Sequence, residues 1–185
     1  MRVTPEELLV LLAQPAPVNL GGLNLSGASL EKRDLNGANL CGTDLVGANL
    51  RGARLVEADL TGATLSGADL EAADLTRANL RAADLSGADL SHATLIGANL
   101  AGAILPGARL ESADLTGADL TGADLSFAVL KGANLQSASL VEANLHKAIL
   151  TEANLLGARL ERASYYKYTK WPEGFDPKAA GAVLV

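Results

Sequence analysis

The sequence is poor in aromatic, sulfur-containing and basic residues. Aromatic side chains make up 3% of its 185 residues, and there is one Met, one Trp and one Cys. A single cysteine, Cys41, excludes an internal disulfide framework and fits a reducing compartment, so we expect a cytoplasmic protein. The net charge of −6 argues against the basic stripe with which proteins hold nucleic-acid phosphates, and no direct nucleic-acid binding is expected.

Long hydrophobic runs are also missing. The apolar run 8–13 is too short to span a bilayer, and it follows Glu6 and Glu7, where a signal peptide would carry Lys or Arg. We therefore expect neither export nor a membrane anchor.

A five-residue repeat dominates what is present. Every fifth residue from Leu20 to Leu160 is Leu, 29 times in succession, and the residue two before it is Ala from Ala28 to Ala163 except at Arg33 and Thr43. Asp or Asn commonly precedes the Leu, and Gly commonly lies two residues after it. Such regularity is typical of a solenoid rather than a mixed globular core.

A period of five predicts a corner in every repeat, because it suits neither a helix of period 3.6 nor a strand of period 2. If each repeat forms one side of a square, 20 residues complete a coil, and coils about 4.8 Å apart satisfy each other's backbone groups. The Leu and Ala then point inward and the Asp or Asn points outward. Gly provides the positive φ that a tight corner favours.

The runs Ala-Asn-Leu and Ala-Asp-Leu, recurring every five residues, closely resemble the signature of pentapeptide repeat proteins. The resemblance covers residues 20 to about 164. It implies an all-β fold, a right-handed quadrilateral β-helix of about seven coils. Arg33 and Thr43 depart from the family pattern near its start.

Both ends predict caps, which a solenoid needs to cover its apolar core and its unpaired strand edges. Residues 1–18 should hold a short capping α-helix, because Thr4-Pro5-Glu6-Glu7 forms a capping box before the leucine-rich run 8–12 and Pro15. Residues 19–164 form the β-helix.

The segment 165–185 should form an aromatic cap and tail, because five of the six aromatic residues lie between Tyr165 and Phe175. Residues 169–177 are similar to tails of cyanobacterial family members. The alternative for these rings is a docking site or a dimer contact, so we expect a monomer or a dimer through this end.

Two surface features are candidate binding sites. Phe127, Val129 and Ile149 occupy outward positions that elsewhere carry Gly, Asp or Asn, and they form an apolar patch that either the C-terminal tail or a partner covers. Acidic outward positions align in two columns, which contain Asp44, Asp84 and Asp124 in one and Asp59 and Asp119 in the other.

Nothing in the pattern predicts an enzyme. An interior filled by Leu and Ala leaves no pocket, His92 and His146 lie in different columns, and Cys41 has no His or second Cys beside it. We expect no catalytic residue, cofactor or metal, and we predict a rigid scaffold that binds an unidentified protein. The alternative, implied by the family, is a DNA mimic that binds DNA gyrase through an acidic face.

Overall fold

The chain winds into a right-handed, four-sided β-helix, as the five-residue period predicts. The computed structural model describes residues 2–14 and 17–185. Each outward residue forms a parallel bridge with the residue 20 positions later, as Asp69 does with Asp89. The Leu50 N–H donates to the Asp69 carbonyl oxygen at 2.7 Å, and the Asp69 N–H donates to the Ala48 carbonyl oxygen at 3.0 Å. Neighbouring coils therefore satisfy each other's backbone groups.

Four ladders of outward residues define the four faces. Face A contains Asn24, Asp44, Thr64, Asp84, Ile104, Asp124, Asn144 and Ser164. Face B contains Ser29, Asn49, Asp69, Asp89, Arg109, Val129, Ile149 and Lys170. Face C contains Asp34, Arg54, Asp74, Thr94, Asp114, Asn134 and Asn154, and face D contains Asn19, Asn39, Asp59, Asn79, Asn99, Asp119, Ser139 and Arg159.

The core is a stack of buried Leu and Ala side chains, confirming the predicted inward positions. Leu85 and Ala83 are both 0% exposed, and the same holds through the middle coils. Each corner places the second residue after the Leu at positive φ, 63° at Gly87 for example. Glycine is common there because it has no Cβ to clash in the left-handed region.

The Asp or Asn before each Leu also fixes the corner that follows it. Asp84 Oδ1 accepts hydrogen bonds from the Ser86 N–H at 2.9 Å and the Ser86 hydroxyl at 2.6 Å. Asn49 accepts the Arg51 N–H in the same way at 3.0 Å. This local turn explains why short polar side chains with an acceptor oxygen fill the position.

The two departures from Ala are accommodated differently. Thr43 stays inward, 0% exposed, and its hydroxyl donates to the Leu20 carbonyl oxygen at 2.9 Å. Arg33 is exposed at the N-terminal end. Both coils keep their hydrogen bonds, since the Leu35 N–H still donates to Arg54 and the Leu45 N–H to Thr64, each at 2.7 Å.

The N-terminal helix α1 spans Pro5–Leu12 and has the predicted capping box. The Thr4 hydroxyl accepts the Glu7 N–H, and the Glu7 carboxylate accepts the Thr4 N–H. Leu8 is buried and Leu11 and Leu12 pack against the core. The rest of the apolar run does not cover the first coil, because Leu9 is 56% and Val10 67% exposed. Pro15, which follows the predicted helix in the sequence and should end it, lies outside the described residues.

At the other end, β1 (Ser164–Tyr165) pairs in parallel with β2 (Val183–Leu184). The ladder of face B reaches Lys170, 21 residues after Ile149, so the last coil holds one extra residue. Trp171 packs edge-on against Tyr165 and stacks on Phe175, with ring centroids 5.5 and 5.3 Å apart. Both Trp171 and Phe175 contact the core.

The chain segments at both ends extend face A. Arg2 bridges Asn24 at the bottom, and β2 bridges Ser164 at the top. Both end coils thus gain a partner for their edge on this face, which blunts their tendency to pair with other chains. Within residues 2–14 and 17–185, no helix has the length and apolar character that a bilayer crossing needs.

Candidate functional site

Phe127 is an exposed aromatic side chain at a corner where the chain usually has glycine. The corners below it in the same column carry Gly27, Gly47, Gly67, Gly87 and Gly107. Phe127 keeps their left-handed conformation, with a φ of 59°, and its side chain is 56% exposed. A bulky residue is strained in this region of φ, which the fold also imposes on twelve other non-glycine residues at equivalent corners of the described chain.

Val129 and Ile149 continue the apolar surface onto face B. They bridge each other in successive coils, and both are half-buried. Phe127 lies at the corner between faces A and B, two residues before Val129. We call these three residues the Phe127 patch.

Basic and aromatic side chains lie in the coil above the patch. Lys147 Nζ lies 4.8 Å from the centre of the Phe127 ring, and Lys167 Nζ lies 4.9 Å from that of Tyr168. Tyr166 packs edge-on against Tyr168 at 5.5 Å. Lys170 bridges Ile149 and forms the top rung of face B.

An open cavity of about 560 Å³ lies beside Phe127 on the face A side. Its walls include His146, Lys147, Tyr166 and Val185. The His146 ring lies 6.3 Å from that of Tyr166, and its Nε2 is buried without a hydrogen-bond partner in the described part of the chain. The site thus combines apolar, aromatic and cationic groups around one recess.

The C-terminal tail approaches the patch without covering it. β2 lies over Ser164 and Tyr165 on face A, and Val185 reaches the cavity wall. Phe127 nevertheless keeps more than half of its surface exposed. Packing of the tail therefore does not account for the aromatic residue at this corner.

The acidic positions are spaced rather than continuous. On face A, Thr64 lies between Asp44 and Asp84, and Ile104 lies between Asp84 and Asp124. On face D, two asparagines separate Asp59 from Asp119. Burial works against ionisation of Asp84, but the hydrogen bonds from Ser86 outweigh it and hold the pKa of Asp84 below its ordinary value. Its carboxylate therefore stabilises the corner at Ser86.

Across residues 2–14 and 17–185, no three metal-ligating side chains come together. Cys41 is exposed and free, and His92 lies at a positive-φ corner. In the described part of the chain, the side chain of neither residue forms a hydrogen bond with a second reactive group.

The sequence pattern did not identify the groups around the patch. The sequence places Tyr166 in the aromatic cap and gives no reason to connect it, His146 or Lys167 with Phe127. Column alignment places Lys147 directly above Phe127 and was a signal available in the sequence. The extra residue before Lys170 shifts the last coil, so its contacts depend on the tertiary structure.

The second large recess lies at the N-terminal end, between α1 and the first coil. It measures about 680 Å³ and is mainly apolar, with Leu8, Leu9 and Leu12 in its wall and Arg2 and Arg33 beside them. The sequence did not predict it.

Comparison with known proteins gives a consistent result. The family model described as Pentapeptide repeats matches residues 24–62, 53–91, 93–132 and 128–164. No curated protein matches the chain.

Several solved structures are similar. HetL of the cyanobacterium Nostoc sp. strain PCC 7120, a pentapeptide repeat protein involved in heterocyst differentiation regulation, is 40% identical over 76% of this chain and 73% of its own, with a TM-score of 0.45. The pentapeptide repeat protein alr5209 of Nostoc is 43% identical over 63% of this chain and 84% of its own, with a TM-score of 0.35. Trypsin-treated QnrB1, a plasmid-mediated fluoroquinolone resistance protein, is 17% identical over 85% and 86%, with a TM-score of 0.54. That last likeness concerns the fold alone.

Proposed function

This chain belongs to the pentapeptide repeat family, and from that premise we propose that it acts as a non-enzymatic, rigid scaffold that binds a protein partner through the Phe127 patch. The β-helix interior is filled with Leu and Ala, which leaves no internal pocket for a substrate in the middle coils. Flat outer faces remain as the functional surface.

One observation carries the proposal: Phe127 replaces glycine at a strained, exposed corner. The other non-glycine residues at positive φ are polar, charged or alanine. An exposed aromatic ring contributes nothing to the core, yet aromatic side chains are enriched at the centres of protein interfaces. The half-buried Val129 and Ile149 extend the apolar surface next to it.

One relative has a role that is compatible with the proposal. HetL is described as involved in the regulation of heterocyst differentiation, and a regulatory role of that kind needs no catalysis. We propose that the present chain likewise acts by binding a partner.

The DNA-mimic alternative has less support. A mimic of a DNA duplex needs a continuous line of negative charge, whereas neutral residues interrupt the aspartates on faces A and D. The fold that this chain shares with QnrB1 is common to the family. It therefore does not distinguish a protein-binding scaffold from a DNA mimic.

The test is affinity capture from a lysate of the source organism with three forms of the protein: wild type, Phe127→Gly with Ile149→Thr, and Ile96→Thr. Ile96 is the matched control because it is also an exposed apolar residue, 41% exposed, on the corner between faces C and D. We expect a protein that wild type and the control retain and the double variant loses. Circular dichroism first establishes that all three are folded.

Two results would contradict the proposal. A partner retained equally by all three forms would move the interface away from the Phe127 patch. Recovery of no partner by any form would remove the support for a scaffold.

A further inference from the structure

The charge of the chain is divided between its two ends. Residues 127–185 contain seven Lys or Arg and five Asp or Glu, whereas residues 1–126 contain eight and sixteen. The segment 127–185 is therefore net positive by two charges in a protein of net charge −6. Such asymmetry favours an oppositely charged partner at one end.

Three lysines beside the patch have no carboxylate partner. Among the described residues, no carboxylate oxygen lies within 4 Å of Lys147, Lys167 or Lys170. Ion pairs do form at several other corners, as in Lys131 with Glu152 at 3.3 Å and Arg77 with Glu57 at 2.8 Å. What distinguishes the three lysines is that they lie close together along the chain in the last coils.

These lysines are placed around the apolar groups rather than apart from them. Lys147 lies over the Phe127 ring at 4.8 Å, Lys167 lies over the rings of Tyr166 and Tyr168 at 5.9 and 4.9 Å, and Lys170 stands above Ile149 in the ladder. Exposed ammonium groups on aromatic faces keep part of their surface free for an anion. A ligand that meets Phe127 meets Lys147 directly, and one that extends over Tyr166 or Ile149 also reaches Lys167 or Lys170.

We propose that the Phe127 patch binds an acidic segment of a protein that also carries a large apolar side chain. This inference rests on the proposed function and specifies the chemistry of the partner. Carboxylates of the segment pair with Lys147, Lys167 and Lys170, and its apolar side chain packs into the recess between Phe127 and Tyr166. Because the lysines have no partner to release, these ion pairs form without breaking existing ones.

A protein segment fits better than a nucleic acid. A nucleic-acid strand extending down face B would meet Asp89 and Asp69, and both repel phosphates. A short acidic segment can end on face B beside Val129 and Ile149, so it avoids those two carboxylates.

The test uses fluorescein-labelled peptides of 12 residues and measures fluorescence anisotropy. The main probe contains Asp and Glu around a central Leu-Phe pair. One comparison peptide has Lys in place of the acids, another has Ser in place of Leu and Phe, and a single-stranded DNA of 12 nucleotides tests the nucleic-acid alternative. We expect the main probe to bind at least about tenfold more tightly than the others, with an affinity that falls as salt increases.

Variants localise the binding. Two variants should each lower the affinity for the main probe by about tenfold or more: the double variant Lys147→Glu with Lys170→Glu, and the single variant Phe127→Gly. Lys32→Glu is the matched control, because Lys32 occupies the same type of positive-φ corner near the other end, with a φ of 55° against 58° for Lys147. It should leave the affinity unchanged.

Three results would contradict the proposal that the partner segment is acidic. The lysine peptide could bind as tightly as the main probe, or the DNA could bind more tightly. The double variant Lys147→Glu with Lys170→Glu could also bind the main probe with unchanged affinity. If the captured protein depends on Phe127 but not on these lysines, the scaffold function stands and only the acidic chemistry fails. If no captured protein depends on Phe127, the scaffold function itself fails.

Discussion

Asp84 holds Ser86 through two hydrogen bonds to one carboxylate oxygen, from the hydroxyl at 2.6 Å and from the backbone N–H at 2.9 Å. The pair joins the outward side of face A to the corner that leads to face B. The same arrangement links Asp59 to Thr61 and Asp114 to Thr116. These coils therefore owe part of their shape to aspartate side chains at their surface.

Replacement of Ser86 with Ala should raise the pKa of Asp84 toward its ordinary value of 3.8, because the variant loses the hydroxyl donor. A depressed folded-state pKa contributes stability that is present above the unfolded pKa and is lost as pH falls through the folded pKa. The variant should thus be less stable than wild type near neutral pH, by less than about 1 kcal/mol because Asp84 is partly exposed. The difference should vanish at pH values below both pKa values.

Carbon-detected NMR of the Asp84 carboxyl and urea unfolding at several pH values measure this effect. Ser112→Ala serves as the control, since Ser112 lies at a positive-φ corner and its hydroxyl donates to no aspartate among the described residues. An unchanged Asp84 pKa in Ser86→Ala would contradict the assigned cause.

Replacement of Leu85 with Arg should lower the free energy of unfolding by roughly 3 kcal/mol or more, because it places an unpaired charge in a core that is 0% exposed at this position. Thr94→Arg provides the comparison: it introduces the same side chain outward on face C, between Asp74 and Asp114. Thermal unfolding by circular dichroism should separate the two clearly. Equal stability would mean that Leu85 does not point into the core.

Replacement of Phe127 with Gly should leave stability unchanged or raise it by up to about 1 kcal/mol, since glycine relieves the strain of a φ of 59°. Phe127→Ala removes the ring but keeps the strained Cβ, so it should be the less stable of the two. Urea unfolding measures both. A large loss of stability in Phe127→Gly would show that the ring has a structural role, which would weaken the case for a binding surface.

Replacement of Thr43 with Val should cost about 1 kcal/mol. The shape of the side chain is kept, but the buried hydroxyl that donates to the Leu20 carbonyl oxygen at 2.9 Å is lost. Thr64→Val makes the same change at a partly exposed outward position of face A and should have little effect. Both variants can be compared by their urea midpoints. A Thr43→Val protein as stable as wild type would show that this hydrogen bond contributes no net stability.

The sequence was informative wherever the environment repeats. Leu50 and Leu70 occupy equivalent places in successive coils, so one assignment of an inward Leu applies to all of them. The capping box at Thr4 could also be predicted, because its hydrogen bonds span only three residues. The exposure of Leu9 could not be predicted, because it depends on how α1 packs against the first coil.

The sequence indicated only some of the residues of the candidate site. Phe127 stood out as an aromatic at a corner where glycine is usual, and Val129 and Ile149 stood out as apolar residues at outward positions. The lysines did not, because a lysine on a surface is unremarkable until its neighbours are known. Their lack of a carboxylate partner is a property of the packed coils, and so is the contact between Lys147 and the Phe127 ring.

The sequence by itself determined the β-helix, its period and its core, because a five-residue pattern of Leu, Ala and Asp or Asn has one way to bury its apolar side chains and pair its backbone. Only the tertiary structure decided how the last coil closes. The extra residue before Lys170 and the pairing of Val183 with Ser164 involve contacts that no local pattern encodes. The surroundings of the Phe127 patch depend on that closure, because side chains from Lys147 to Val185 meet there only after the coil has formed.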